Sequence, residues 1–463
     1  MRNKKIGLMM LALLMTGAID SIRNLPTVAL FGPSLIFFFI AAAIFFLLPV
    51  GLVSAELSST WHDKGGVYQW TQAAFGEKVS VLAIWLQWIN TMVWYPTILS
   101  FIAGTIAFIV NPALAQSKLY LVGVILSIFW AMTLINLKGL HISAKFASWC
   151  GFIGMVLPMI FIMLLGLLWI FSGEPLQVQF TAHTILPQIH HGESWISLTA
   201  IITAFLGMEL ATVHAKQVKN PQQAFPRALM ISIGFILFTM IFGSLAIAVV
   251  LPKQQINLVD GIMQAFHNFL VHYHLAFLIP ILAVMILIGS LGGIINWIIS
   301  PAKGLMQAAQ HGYLPKIFAR ENESGVSAAV LIAQAILVSI VCVAFLLMPS
   351  VNGSYWLLTD LSTELYLLMY VLMFFAAFAI KIKFHHLQPK FTVPGGRFGL
   401  YVICIFGVIG CLISLFVGFL PPDSINVGTP LHYFVVFTLG LILMIIPIFL
   451  LYLYKAITTK SSH

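Results

Sequence analysis

Charge is what this 463-residue sequence has least of: 8% of its residues are Asp, Glu, Lys or Arg, and 61% are hydrophobic. A soluble domain is about 25% charged. Water cannot solvate the surface this chain would present, so a soluble enzyme and a disordered chain are both excluded. Cysteine is scarce as well. Cys150, Cys342, Cys404 and Cys411 all fall in apolar runs, without metal-ligand spacing or an extracellular pairing framework, and read as small buried apolar residues. No glycine loop precedes a Lys-Ser/Thr pair, so ATP is not the expected energy source. No histidine sits mid-span opposite another, as a membrane haem or copper site would need, and His190-His191 and His385-His386 are lone surface pairs. No metal and no cofactor are expected.

What the chain has is apolar runs of spanning length. Helices are expected near 7–31, 33–56, 79–111, 119–137, 143–172, 195–213, 224–252, 275–310, 325–348, 354–381, 397–420 and 429–455, twelve in all. The runs are continuously apolar and do not alternate, which indicates helices and not a barrel. The fold class is an all-α membrane protein, a single polytopic domain over 1–463.

The net charge of +9 invites a nucleic-acid reading, but the positions of the charges oppose it. With the N-terminus in the cytoplasm, 19 of the 22 lysines and arginines fall on the cytoplasmic side. Lys118 and Lys253 fall outside, and Arg23 lies within the first span. That bias orients the bundle with both termini cytoplasmic. Arg2-Asn3-Lys4-Lys5 followed by an apolar run resembles a signal peptide. No small-residue cleavage site follows, so the run is expected to stay as span 1.

Spans 1 and 6 are both interrupted by small and polar residues, and spans 3 and 8 are both long. This suits a five-plus-five inverted repeat, 1–172 and 195–381, followed by two additional helices in 397–455. Such repeats build a mid-membrane site from broken helices.

An ionisable group in hydrocarbon is costly and therefore a functional candidate. Asp20 and Arg23 lie in span 1, Glu209 in span 6, and Asp360 and Glu364 in span 10. Glu56, at the cytoplasmic end of span 2, reads as solvated. In span 1, Pro26 removes a backbone donor and Gly17 tolerates unusual dihedrals. A break between them would free backbone groups for a zwitterionic ligand, which makes Gly17, Ala18, Ile19, Asp20 and Ser21 candidate substrate-binding residues. The alternative is a simple proline kink with Asp20 bridged to Arg23. In span 6, Gly207-Met208-Glu209 suggests the matching break. Burial disfavours the charge on Glu209, which suits a proton-linked switch or a permanently neutral core carboxyl. Asp360 and Glu364 are four apart and share a helix face, at a depth similar to Arg23. They are candidates for an extracellular gate closed by an ion pair, or for a water-filled vestibule without one. Trp85, Trp88, Trp94 and Tyr95 cluster on span 3, where aromatics commonly serve as lipid-facing belts or packing.

Several segments are familiar. Pro49-Val50-Gly51-Leu52-Val53-Ser54-Ala55-Glu56-Leu57 with Lys64-Gly65-Gly66-Val67-Tyr68 resembles the second span of the amino acid–polyamine–organocation superfamily. So do Gly207-Met208-Glu209 with Val218-Lys219-Asn220-Pro221 and Phe225-Pro226-Arg227-Ala228, and Ser300-Pro301-Ala302-Lys303-Gly304-Leu305 with Gly312-Tyr313-Leu314-Pro315. Pro394-Gly395-Gly396 and Phe419-Leu420-Pro421-Pro422-Asp423 resemble its bacterial glutamate/γ-aminobutyrate antiporter branch.

The resemblance implies a leucine-transporter-like fold with spans 1 and 6 broken at the site, in a bacterial inner membrane. It implies secondary transport of an amino acid, against a counter-substrate or with protons. By position it implies pocket roles for Ala204, Phe205, Gly207 and Trp297, and more loosely for Met92 and Tyr95. It implies a proton or pH role for Glu209. Ile19-Asp20-Ser21 stands where other branches carry a glycine-serine-glycine stretch. The long C-terminal plug of the antiporter branch is not expected, since the sequence ends at His463. The buried acids Asp20, Asp360 and Glu364 disfavour an anionic substrate and favour a neutral or cationic amino acid. The rival readings are a proton-coupled amino acid or polyamine symporter and a transporter-like sensor.

Overall fold

The computed structural model describes residues 7–60, 66–138, 149–187, 192–212, 220–322, 325, 327–384, 386–387 and 389–460. Among these the chain is helical and contains no strand. In chain order the main helices are α1 (Leu8–Ile19), α2 (Leu25–Ala29), α3 (Gly32–Thr60), α4 (Val67–Phe75), α5 (Glu77–Val110) and α6 (Lys118–Leu137). There follow α7 (Trp149–Phe171), α8 (Gly192–Ala204), α9 (Met208–Thr212), α10 (Pro221–Val250), α11 (Gly261–His272), α12 (Ile279–Trp297) and α13 (Ile299–Gln310). The last four are α14 (Ala328–Leu347), α15 (Val351–Lys383), α16 (Gly396–Val417) and α17 (Pro430–Ile457).

Nine described helices are long and apolar enough to cross a membrane, and a tenth results if α1 and α2, bent by 42°, form one span. Two shorter apolar helices, Trp195–Leu210 and Ala276–Gly292, fall where the sixth and eighth spans are expected. Lipid offers no hydrogen bonds, so each run satisfies its backbone within its own helix. The usual burial rule is relaxed at the perimeter. Leu119, Phe171, Phe398, Phe416 and Leu431 all point outward, as suits a surface covered by acyl chains.

The centre is built around α15, which packs along both α5 and α16. Trp70, Tyr95, Tyr355, Tyr370 and Tyr433 are fully buried there. One outer helix is held unusually closely at both ends. On α7, a Cβ added to Gly154 would run into the backbone of Gly289 on α12. A Cβ on Gly166 would stand 2.9 Å from the Ala246 Cα of α10. Gly154 itself sits in a widened turn, Phe152–Val156, where the Leu157 N–H reaches back five residues to the Phe152 carbonyl. Pro158 follows directly, in the first turn of the next helical stretch.

Candidate functional site

Span 1 breaks where its sequence changes character. The Asp20 N–H still bonds to the Thr16 carbonyl (2.8 Å), closing α1. Asp20 and Ser21 are then extended, with ψ 121° at each. After a short turn over Ile22–Asn24 the chain restarts as α2, with Pro26 in its first turn. Proline fits there because first-turn N–H groups have no intrahelical partner. The proline thus begins a second half-helix and does not kink a continuous one. Asp20 Oδ2 accepts from Thr239 of α10 (2.9 Å), while its Oδ1 is buried without a partner. Arg23 donates to Thr97 of α5 (2.8 Å) and lies 5.3 Å from the centre of the Trp94 ring, a cation–π contact. Its Nε has no partner.

Span 6 breaks in the same way. After α8, Phe205, Leu206 and Gly207 form a turn, and α9 begins at Met208. Gly207 has φ +105°, a conformation glycine adopts without a Cβ penalty. Its N–H donates to the Tyr370 hydroxyl of α15 (2.9 Å). That hydroxyl in turn donates to Glu209 Oε2, and the Tyr366 hydroxyl donates to Glu209 Oε1. Gln87 Nε2 of α5 lies 3.4 Å from Oε1. Tyr366 and Tyr370 are one turn apart on α15 and so project together. One turn before Tyr366, Thr363 pairs with Thr203 of α8 (2.7 Å). Glu209 is thus a buried carboxyl held by two hydroxyls at the start of a half-helix.

The two breaks cross. α1 packs against α9, and α2 against α8. Each half of span 1 therefore packs against the opposite half of span 6, and helix ends carry backbone groups without intrahelical partners. Such a junction can hold a small ligand bearing charge of both signs: half-helix N-termini favour its anionic end, and a carboxylate or free carbonyls its cationic end.

Residues 6–443 match the sequence profile described as amino acid permease. The chain belongs to the amino acid permease family. A relative named as an uncharacterized transporter of Legionella pneumophila is 38% identical over 92% of this chain and 91% of its own. A glutamate/γ-aminobutyrate antiporter of Lactococcus lactis is 27% identical over 98% of this chain and 91% of its own. A Lactococcus lactis protein named "Probable agmatine/putrescine antiporter" is 26% identical over 84% and 82%. The permease is a multi-pass membrane transporter of the amino acid–polyamine–organocation superfamily and resembles the glutamate/γ-aminobutyrate antiporter branch.

The permease distributes its other candidate residues unevenly. Ile19 is buried at the end of α1 and Ala204 at the end of α8. Gly17 is exposed on α1, and a Cβ there would meet open space. Met92 is fully buried. Tyr95 packs on Phe129 of α6 (4.9 Å), and Phe205 on Phe39 of α3 (5.6 Å). Trp94 and not Tyr95 is the aromatic that α5 turns to Arg23. The side chains of Ala18 and Trp297 lie outside what is described. Sequence reasoning missed Thr97, Thr239, Gln87, Tyr366 and Tyr370. The readable signal was two tyrosines at helical spacing on the span that also carries two acids.

Two expectations do not match this conformation. Among the described residues no ion pair joins Arg23 to Asp360, Glu364 or Asp20. Matching depth along two spans does not fix the direction a side chain takes, and α15 turns both its acids towards α16 and α17. Asp360 Oδ2 accepts from Tyr433 (2.8 Å), and a Cβ on Gly418 would strike Glu364. Glu56 is not solvated either: it is 4% exposed. Its Oε1 pairs with Lys381 (2.5 Å) and its Oε2 accepts from the Val393 N–H (2.6 Å). The connection from α15 to α16 folds back over it. Phe391 exchanges two hydrogen bonds with Ser59 (both 3.1 Å), and Thr392 exchanges two with Gln222 of α10 (2.9 and 3.1 Å). This strap ties the ends of α3 and α10 to α15. A further buried acid went unremarked in the sequence: Asp260, 3% exposed, precedes α11, and burial pushes its carboxyl up to about 7.

Proposed function

We propose that this permease is a twelve-span amino acid exchanger working by alternating access around the crossed breaks of spans 1 and 6. The observation that carries this reading is the junction itself: two broken helices run crosswise, with Glu209 at the second break and the unpartnered Asp20 Oδ1 at the first. The crosswise packing of α1 with α9 and α2 with α8 supports an inverted repeat of 1–172 and 195–381, with 397–455 as two additional helices. The charge bias supports both termini in the cytoplasm, and the bacterial relatives favour a bacterial inner membrane.

In this reading the substrate is a neutral or cationic amino acid. Its ammonium takes the open Asp20 Oδ1 and its carboxylate the N–H groups at the starts of α2 and α9. Gly17, Ala18, Ile19 and Ser21 lend backbone. Met92, Tyr95, Ala204, Phe205, Gly207 and Trp297 shape the pocket as the bundle rearranges. Glu209 is the proton-linked group. Spans 1, 2, 6 and 7 rock against the rest, and Arg23 leaves Thr97 and Trp94 when the outer side opens. The names of the antiporter relatives favour exchange over symport.

The test is reconstitution in liposomes preloaded with unlabelled amino acids or diamines, followed by labelled uptake across a panel, with and without a pH gradient. Uptake that depends on internal substrate is expected. Uptake driven by the gradient alone refutes obligatory exchange, and no uptake of any amino acid or diamine refutes the reading itself.

A further inference from the structure

α15 has two polar faces. One carries Thr363, Tyr366 and Tyr370 towards the broken span 6. The other carries Asp360 and Glu364 towards α16 and α17. Asp360 is 3% exposed and Glu364 1%. A Cβ on Gly418, at the end of α16, would strike Glu364 Oε1 and lie 3.4 Å from Asp360 Oδ1. The two oxygens therefore converge on one point above the Gly418 backbone. Glu364 Oε1 has no hydrogen-bond partner. One turn before Gly418, the Ser414 hydroxyl is also fully buried and unpartnered.

Among the described residues the surroundings supply no positive charge. Tyr433 of α17 donates to Asp360 Oδ2 (2.8 Å) and lies 3.4 Å from the Gly418 carbonyl. Cys411 of α16 is the other titratable neighbour. α5 packs on the same helix, and there the uncharged Asn90 bonds to Ser362 (2.6 Å). Among the described residues no lysine, arginine or histidine pairs with either acid. Two ionised carboxylates one helical turn apart, buried and without a cation, are not a tenable ground state. Nor does the close approach of Glu364 to Gly418 leave room for a hydrated metal ion. The occupant that fits is the smallest cation.

We propose that Asp360 and Glu364 form a second proton-binding site of this protein, set between α15, α16 and α17 and separate from Glu209. The pair holds one proton, carried by Glu364 or Asp360. Release sends that proton to water and leaves the pair one charge more negative, without breaking any covalent bond to carbon. The same rigid helix carries the tyrosines that hold Glu209. If the exchange reading stands, a change of charge on one face of α15 is therefore transmitted to the break on the other.

The site is tested first without transport. Infrared difference spectra between acid and alkaline pH are recorded on purified protein carrying Glu209→Gln, which silences the known candidate. A protonated-carboxyl band that titrates is expected, lost in Glu364→Gln and lost or displaced in Asp360→Asn. Tyr433→Phe leaves both acids in place and is expected to move the midpoint of the titration, so it keeps the test open if an acid variant does not fold. No such band, or a band indifferent to all three substitutions, overturns the proposal. Because the spectrum needs no substrate, its failure is distinct from failure of the exchange reading. In liposomes that exchange, Glu364→Gln is expected to lose one arm of the pH profile that the unsubstituted protein shows.

Discussion

Removing the Tyr370 hydroxyl tests the architecture of the span 6 break more sharply than removing Glu209. Tyr370→Phe keeps the ring, which packs on Phe46 (5.2 Å) and Tyr366 (4.9 Å). Only one oxygen is lost, but that oxygen does two things. It accepts the Gly207 N–H at 2.9 Å and donates to Glu209 Oε2. A hydrogen bond to a group of this kind contributes about 1.5–3 kcal/mol, and leaving a buried N–H unpaired costs about 1–3 kcal/mol. The two effects share an atom and do not simply add, so about 3–5 kcal/mol is expected. Tyr366→Phe removes the donation to Oε1 and orphans no backbone group at Gly207, so about 1.5–3 kcal/mol is expected. The reasoning therefore predicts an order, with Tyr370→Phe worse by at least roughly 1 kcal/mol, about fivefold in an unfolding equilibrium. Detergent-solubilised protein unfolded in a denaturing-detergent titration, followed by tryptophan fluorescence, reads that order. Exchange rates in liposomes should follow it. Equal losses, or a larger loss for Tyr366→Phe, would refute the claim that Tyr370 holds the left-handed turn at Gly207.

Other expectations follow from the same geometry. Lys381→Met strands a buried Glu56 and should destabilise by about 3–5 kcal/mol. Adding Glu56→Gln should recover part of that loss, and a double-mutant cycle with no coupling would show the pair to be incidental. Asp20→Asn keeps the bond to Thr239 possible but removes the open carboxylate oxygen. It should raise the KM for a zwitterionic substrate at least about tenfold, if one charged hydrogen bond is lost; unchanged uptake would remove Asp20 from the binding site. Asp260 titrates near 7 in the folded chain and near 3.8 when unfolded, so its contribution is fully present below about 4 and is lost as pH rises to about 7. Asp260→Asn should flatten that fall in a stability–pH series, and an unaltered slope would mean the acid is not buried as described.

The sequence made the helices legible because lipid demands long apolar runs and little else. It also located both breaks, since Pro26 and Gly207 are local signals of local backbone geometry. What it could not supply was azimuth. Arg23, Asp360 and Glu364 were matched by depth, but depth along a span does not say which neighbour a side chain meets. Trp94 and Tyr95 are adjacent in sequence, and a turn of about 100° per residue separates the one that faces Arg23 from the one that packs on Phe129. Glu56 was misjudged for a different reason. The strap that covers it comes from more than 330 residues away in the chain, and no local pattern announces it. Tyr366 and Tyr370 were not legible because nothing in one chain's composition marks a tyrosine whose hydroxyl holds a partner.

The double anchorage of α7 has a mechanical corollary. Near one end its Gly154 meets Gly289 of α12 backbone to backbone, and further along Gly166 meets Ala246 of α10. Neither seam has a side chain that could swing aside, so neither can slide by small steps. If α10 travels with the moving helices while α12 stays, α7 is a tie rod fastened to both the rocker and the frame. A rod fastened at both ends must carry its own joint. The widened turn at Phe152–Val156 holds the Gly154 fastening itself, with Pro158 beside it on the way to Gly166, and already lacks a regular hydrogen-bond ladder. Stiffening that joint would stall the machine without touching anything that binds a substrate.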